Sequence, residues 1–359
     1  MGTFTGKLNP NKIFAALFNM IISQQVFSDN IKGTFSKLVD SARTDGTLYG
    51  DTKIYYATDV LKSYEWGADA EAANLLKLYR PKAPEQQKIT LDVFRTIPLT
   101  VDNYLSKQAW SDETSFMQFN GVMIGWMRET KKVYDSTIYN SFIGTSESQS
   151  EVHEVLVDQT AYPTLGQGIG EVIADLFVDL EDATRKFNEY KFLRSYDEGD
   201  IKVVWNSKFV NQVKKIDLPA LFHSEGLVMK FAEDVLPSRY FGTVATDKTA
   251  TESTRSLVEV DLNTVEPSQA GYKPELHLFP GDKIPVGTNV TDIPHYDEDA
   301  NVICKVMHND SVPYMSAFEV ETSFFNSKSL TDNRYLTFGH NTLEYLKDKP
   351  MLTIRLKSE

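Results

Sequence analysis

Cysteine is almost absent from this chain, which has 359 residues and a single thiol at Cys304. One thiol cannot form an internal disulfide, so the fold must be held by packing, and a reducing compartment suits this composition. His308 lies four residues after Cys304, but two potential ligands do not make a zinc site. We expect Cys304 to be a half-buried thiol in a β-strand.

Long apolar runs and an excess of positive charge are also missing. The run from Ile13 to Ile22 is too short to span a bilayer. Lys7 and Lys12 precede it, as in a secretory signal, yet no small-residue cleavage site follows. We expect an amphipathic helix or arm here, with a cleaved signal as the alternative. The net charge of −13 disfavours binding to nucleic-acid phosphates as the main activity.

The motifs of common enzyme classes do not occur in the sequence. Segment 164–171 resembles a dinucleotide fingerprint, but Glu171 replaces the third glycine and would repel a pyrophosphate, so we expect a helix start instead. Segment 297–301 resembles half a calcium loop, but Val302 and His308 stand where glycine and glutamate are needed. A phosphate loop, a nucleophile elbow and an H-E-x-x-H pattern are all absent. We therefore predict no enzyme activity and no catalytic, cofactor-binding or metal-binding residues.

The composition of the chain is that of an ordinary globular protein. Hydrophobic residues make up 41% of it, charged residues 24% and aromatic residues 12%. The length favours about two domains. The aromatic content supplies large apolar surface for a core and for contacts between subunits.

Two strands separated by a polar tip are predicted in the N-terminal third. Segment 53–60 is rich in β-formers. Segment 89–101 alternates between an apolar face and a mostly polar face, with Arg95 interrupting the apolar one. The tip between the strands covers 67–87. Because a two-stranded arm is not stable alone in water, we expect it to lie on a neighbouring subunit.

Two long helices are predicted next. The first covers 112–142 and would be about 45 Å long, and its Gly121 and Gly125 indicate a close backbone approach or a bend. The second begins after Thr164, a candidate cap, and its apolar stripe continues to Tyr190. The two stripes comprise Phe116, Phe119, Met123, Met127, Tyr134, Ile138 and Phe142 in the first helix, and Ile169, Val172, Ile173, Leu176, Phe177, Leu180, Ala183, Phe187 and Tyr190 in the second.

The rest of the chain is predicted to be mostly β-structure. A buried strand over 201–205 leads into a turn over 206–208. The region 227–309 is mixed and contains no long helix. Two closing strands over 318–324 and 352–356 alternate between apolar and polar residues.

This order of elements resembles the major capsid proteins of tailed bacteriophages, which have the Hong Kong 97 fold. By this resemblance, 86–101 is the returning strand of the extended loop and 112–142 is the spine helix. Segment 168–193 is similar to a helix of the axial domain, and 317–322 to a late strand of the peripheral domain. The likeness covers most of the chain from about Asn30 onward.

The resemblance implies an α+β fold with four parts. An N-terminal arm would cover 1–44 and an extended β-hairpin loop 45–101. The peripheral domain would comprise 102–165 and 310–359, and the axial domain 166–309.

The resemblance also implies a function. The chain would be a structural subunit that self-assembles, as hexamers and pentamers, into the icosahedral shell enclosing the phage genome. Expected partners are copies of itself, a portal, scaffolding or decoration proteins, and packaged double-stranded DNA bound without sequence specificity. No membrane, cofactor or metal is expected, and a separate scaffolding protein or none is implied. The expected location is the virion, after assembly in the bacterial host cytoplasm.

Four residues are candidates for contact between subunits. Lys77, Arg80 and Lys82 lie at the tip of the predicted hairpin, where they could meet carboxylates of an acidic neighbour. Trp66 lies at the root of the tip, and we expect it to be buried against a neighbouring subunit.

Three alternatives to a phage capsid protein remain open. An encapsulin-type compartment shell uses the same fold to hold enzymes instead of DNA. Another virion part, such as a tail or portal-associated protein, is the second alternative. An acidic hydrolase ranks last, because the sequence shows no nucleophile, metal cluster or phosphate loop.

Overall fold

The computed structural model describes residues 35–46, 50–63, 78, 80–102, 113–145, 154–214, 234–247, 259–261, 275–277, 293–298 and 301–357. The α-helices within these residues are α1 (Lys37–Ala42), α2 (Glu113–Gly144), α3 (Leu165–Glu181) and α4 (Ser207–Lys214). The strands are β1 (Arg43–Asp45), β2 (Thr52–Ala57), β3 (Glu85–Asp102), β4 (Glu154–Val157), β5 (Ile201–Asn206), β6 (Asp234–Leu236), β7 (Gly242–Asp247), β8 (Glu259–Asp261), β9 (Glu275–His277), β10 (Ile293–Glu298), β11 (Val302–His308), β12 (Tyr314–Asn326), β13 (Thr331–Asn341) and β14 (Met351–Leu356).

The chain divides into two compact units, each built from several segments. The first unit takes Met1–Asp51, Thr90–Ser136 and Tyr314–Thr342, and the second takes Thr52–Ile89, Thr137–Pro313 and Leu343–Glu359.

The first five-stranded sheet has the order β1-β12-β13-β3-β2. β1 runs parallel to β12, whereas β12, β13 and β3 are antiparallel neighbours. The predicted alternation along β3 is confirmed, because Ile89, Leu91 and Val101 are buried while Thr96 and Thr100 are exposed. One apolar face and one exposed face are usual for antiparallel sheets.

The expectation of a bare two-stranded arm is wrong. β13 pairs with β3 from Leu91 to Asp102, so the same chain supplies a further strand. β13 was not predicted, because its sequence is largely polar and lacks a regular alternation. Gly339 permits a close approach within this pair, since a Cβ there would lie 2.8 Å from Cε1 of Phe94.

The predicted long helix over 112–142 is confirmed as α2. Of its predicted stripe Met127 is buried, while the side chains of Phe116, Phe119 and Met123 lie outside the described residues. The buried row recurs every four residues and includes polar side chains; it consists of Met127, Lys131, Asp135, Tyr139 and Ile143. Tyr134, Ile138 and Phe142 of the predicted stripe are only half-buried. Gly125 makes no close approach, because a Cβ there would meet nothing within 4 Å.

The second five-stranded sheet, β4-β14-β11-β5-β6, forms the core of the second unit together with α3. Every residue of β11 is buried, including Cys304, which was expected to be half-buried and is fully enclosed. The core cluster contains Ile169, Ile173, Leu176 and Leu180 of α3, Val203 and Trp205 of β5, Ile303 and Val306 of β11, and Leu352 and Ile354 of β14.

Helix α3 begins as predicted and ends earlier than predicted. The hydroxyl of Thr164 accepts a hydrogen bond from the backbone N–H of Gln167, which confirms the cap. The helix stops at Glu181 instead of continuing to Tyr190 or beyond. Asn188 closes a local turn, because its side chain both donates to the carbonyl of Phe192 and accepts from its N–H. Such side-chain bonds compete with helical ones.

The predicted turn at 206–208 is also wrong, because α4 follows β5 directly at Ser207. The side-chain oxygen of Asn206 accepts a hydrogen bond from the backbone N–H of Lys208 at 3.0 Å. Asn206 therefore acts as the cap of the new helix, a role that asparagine shares with its role in turns. Two further two-stranded sheets pair β7 with β10 and β8 with β9.

Candidate functional site

A surface cavity in the first unit is dominated by charge. Its volume is about 550 Å³. Eight of its nine lining residues are charged, four of each sign; the lining comprises Asp40, Arg43, Arg128, Lys131, Lys132, Asp135, Glu319, Glu321 and Leu336. Balanced charges of this kind pair with one another and leave no net potential to attract a charged substrate.

Asp135, at the base of this cavity, is a buried carboxylate surrounded by donors. Lys131 Nζ lies 2.8 Å from Oδ2, and the hydroxyl of Tyr314 donates to Oδ1 at 2.7 Å. The guanidinium of Arg43 contributes a further contact at 3.4 Å. Burial and the neighbouring Asp135 raise the pKa of Tyr314, so this hydroxyl stays protonated as a donor. The arrangement stabilises a packed interior and provides no activated nucleophile.

His340 extends the same cluster. Its Nε2 lies 2.9 Å from the hydroxyl of Tyr134 and its Nδ1 lies 2.8 Å from the carbonyl of Asn341. The ring stacks on Tyr314 at 5.5 Å between centroids. Burial lowers the pKa of His340, which favours the neutral ring. Within the described part of the chain, no group of three or more His, Cys, Asp or Glu side chains could hold a metal ion.

The structure places two of the four predicted contact residues. Trp66 and Lys77 lie outside the described residues. Arg80 is exposed, and Lys82 is exposed but already engaged within its own chain. Lys82 Nζ lies 2.9 Å from a carboxylate oxygen of Glu85 and 5.2 Å from the ring centroid of Phe192. Whether these residues touch a neighbouring subunit stays a prediction.

Exposed apolar side chains that were not predicted lie on and directly after β2, which is an edge strand of its sheet. We call this set the β2 surface; it consists of Ile54, Tyr56, Val60 and Leu61. Leu61 is nearly four-fifths exposed. A monomeric soluble protein rarely concentrates apolar groups beside an edge strand, because both features promote association. The apolar residues on both faces of segment 53–60 were the signal that could have revealed it.

The chain that follows β2 is fixed in place by charged hydrogen bonds. The carboxylate of Asp59 accepts bonds from the Arg185 guanidinium at 2.7 Å and from the backbone N–H of Leu193 at 3.1 Å. These bonds lower the pKa of Asp59 to about 2. Arg194 donates to the carbonyl of Thr58 and pairs with Asp348. These hydrogen bonds therefore hold in place the segment that carries Val60 and Leu61 of the β2 surface.

No helix in the described residues has both the length and the apolar character needed to cross a membrane. Neither a protein-family model nor a curated protein matches the chain by sequence.

Solved structures share the fold over nearly the whole chain. A chain in the capsid structure of Staphylococcus phage Andhra matches with a TM-score of 0.67 at 9% identity, covering 93% of this chain and 87% of that one. A chain in the structure of the head fiber and inner core protein gp22 of native bacteriophage P68 matches with a TM-score of 0.63 at 10% identity, covering 90% and 86%. The mixed α+β fold described above is thus a fold found in phage capsids.

Proposed function

We propose that this chain is the major capsid protein of a tailed bacteriophage, a structural subunit that forms the shell around the genome. The observation that carries this proposal is the match to the Andhra capsid, which extends over 93% of this chain and 87% of the other. A likeness of this extent concerns the whole subunit and not one borrowed module. The β2 surface supports the proposal, because a shell subunit needs exposed apolar area for its contacts.

The finer assignment follows the Hong Kong 97 type. In it the arm covers 1–44, the extended loop 45–101, the peripheral domain 102–165 and 310–359, and the axial domain 166–309. These parts are defined by their expected places in a shell and differ from the two compact units of the isolated chain. Helix α2 supports the spine assignment, since its 32 residues give a rod about 48 Å long.

The partners follow from the same proposal. Copies of the chain would form hexamers and pentamers, joined by a portal and by scaffolding or decoration proteins. The DNA inside would be held by enclosure, since a subunit of charge −13 has little attraction for phosphates. The protein would act in the virion after assembly in the host cytoplasm, and would carry out no catalysis.

Electron microscopy of the purified chain tests the proposal. We expect closed shells of uniform diameter, or their hexameric and pentameric units, when the protein is concentrated. Tubes would indicate a tail protein, and protein that stays monomeric at all concentrations would contradict the proposal. Particles recovered from infected cells should contain DNA, whereas an encapsulin-type compartment would contain an enzyme cargo.

A further inference from the structure

On one face of the first sheet, three consecutive rows across β12, β13 and β3 carry no charged side chain. The register of β12, β13 and β3 aligns three rows of three residues on this face. We call it the uncharged face; its rows are Val320, Thr337 and Thr96, then Thr322, Tyr335 and Pro98, then Phe324, Asn333 and Thr100. Hydrogen bonds fix two of the rows, from Thr100 to Asn333 at 2.7 Å and between Thr96 and Thr337 at 3.2 Å.

The two sides of this sheet differ sharply in their surroundings. On the opposite side Leu336 and Phe338 are buried, and the Lys131 ammonium lies 5.2 Å from the ring centroid of Phe338. On the uncharged face Val320 is 41% and Phe324 is 62% exposed. Side chains in register on a strand pair share a face, so the exposed residues form one continuous surface.

A surface of this composition is unusual for such an acidic chain. With 24% charged residues overall, about two of nine positions would carry a charge, and none of these nine does; the next row, with Asn326, Thr331 and Asp102, is the first to include a charged residue. Five of the nine side chains are Thr or Asn, as is usual for the solvent-facing side of an antiparallel sheet, and the other four are Val320, Phe324, Tyr335 and Pro98. Depletion of charge together with aromatic residues, here the exposed Phe324 and the half-buried Tyr335, is the composition found at the centres of protein–protein contacts.

The charge of the chain indicates which partner covers the uncharged face. Nucleic acid is excluded, because the uncharged face holds no lysine or arginine to meet a phosphate. Two copies of the chain carry −13 each and repel one another over most of their surfaces. Contact between two copies is least unfavourable where no charged groups repel one another and none has to lose its water. The uncharged face meets this condition.

We propose that the uncharged face is a contact surface for a second copy of this chain. This inference rests on the proposed function and specifies which side of the sheet the neighbour covers. Phe324 and Val320 are the side chains that the contact would bury most, and the opposite side of β12 would remain accessible.

The single buried thiol of the chain allows a direct test by labelling. Cys304 is fully enclosed, so a cysteine introduced at an exposed position is the reactive one. We compare Thr322→Cys on the uncharged face with Ser323→Cys, the exposed neighbour on the opposite side of β12. Both should react with a maleimide at similar rates in dispersed subunits. In assembled shells the Thr322→Cys thiol should react about tenfold more slowly, because labelling requires an accessible thiolate, while the Ser323→Cys thiol changes little.

Each other outcome overturns the inference or the function separately. If Thr322→Cys is already protected in dispersed subunits, the chain itself covers this face and the inference fails. If both thiols stay reactive in shells, or both are protected equally, the inference fails while the shell function stands. If the unmodified chain forms no assembly, the proposed function fails.

A second pair of variants tests the same surface without labelling. Phe324 and Phe325 are adjacent, both more than half exposed, and point to opposite sides of β12. Phe324→Glu should reduce the yield of assembled protein at least severalfold, and Phe325→Glu should reduce it less, with circular dichroism confirming that both remain folded. Equal yields from the two variants would contradict the inference.

Discussion

Substitution of Leu180 tests how the core of the second unit is packed. Leu180 is fully buried in the cluster around α3, whereas Val178, two residues earlier, is 67% exposed. Leu180→Ala should lower the free energy of unfolding by roughly 2–5 kcal/mol, because it removes apolar contacts and leaves a cavity. Leu176→Ala should behave similarly. Val178→Ala should change it by less than about 0.5 kcal/mol. Urea unfolding measures all three, and a negligible loss for Leu180→Ala would show that α3 does not pack as described.

His340 predicts how stability depends on pH. Burial lowers the pKa of His340 in the folded state below its ordinary value of 6.5, so the unfolded chain binds the proton more readily. The stability that is linked to His340 should therefore be fully present above about pH 6.5 and should be lost as the pH is lowered. His340→Phe should weaken this pH dependence. Tyr134→Phe, which loses the hydrogen bond to the ring but keeps the titrating group, should retain it. Identical slopes of the urea midpoint against pH in His340→Phe and the unmodified chain would contradict this account.

At the scale of elements, two glycines inside helices should respond oppositely to alanine. Gly125 is exposed in α2 and has open space around it, so Gly125→Ala should stabilise the protein by about 0.5–1 kcal/mol through the helix propensity of alanine. In α3, a Cβ at Gly168 would lie 2.5 Å from a ring carbon of Tyr162, so Gly168→Ala should destabilise it. The midpoint of thermal unfolding should rise for Gly125→Ala and fall for Gly168→Ala. A lower midpoint for Gly125→Ala would indicate a close neighbour there.

Replacing the segment between β2 and β3 tests whether the subunit needs it in order to fold. Gln87 belongs to β3, and its amide bonds the carbonyl of Tyr345 and the N–H of Lys347, so a deletion that reaches Gln87 would damage the subunit itself. Replacing 67–78 with a short glycine–serine linker should leave the unfolding transition nearly unchanged and reduce assembly. If the subunit unfolds instead, this segment belongs to its own core.

The sequence predicted the elements whose signals are local. The alternation of β3, the length of α2 and the Thr164 cap each depend on residues that are close together in the sequence. The end of α3 was missed, because the apolar residues after Glu181 keep a helical spacing while Asn188 closes a turn. The buried row of α2 was missed because Lys131 and Asp135 satisfy each other, and periodicity treats charged residues as exposed.

The candidate surfaces were harder to predict than the fold, for a physical reason. The uncharged face exists only when β13 brings segments that are far apart in sequence into register, and β13 has no alternating pattern of its own. The β2 surface likewise depends on β2 lying at a sheet edge, which topology decides. Exposure of apolar groups is a property of the assembled fold, whereas a sequence shows only that they are apolar.

At the scale of the whole molecule, assembly must overcome the repulsion between copies of charge −13. Reversing Lys77 and Arg80 to glutamate takes the charge to −17, since each change removes one positive charge and adds one negative charge. We expect this variant to assemble slowly while keeping its helicity. Lys132→Glu with Lys186→Glu gives the same charge from other exposed positions and serves as the control. If general repulsion is the cause, both variants should be slowed equally.

Salt separates a specific contact from general repulsion. Raising the ionic strength from 0.01 M to 0.1 M shortens the screening length from about 30 Å to about 10 Å, which should restore assembly of the control variant. The Lys77 and Arg80 variant should remain impaired, because salt does not replace the ion pairs that these residues would make with a neighbour. Trp66, at the root of the same tip, should shift its fluorescence to the blue as the unmodified chain assembles, since burial removes water from the indole. Full rescue by salt together with unshifted emission would show that this tip does not touch a neighbouring subunit.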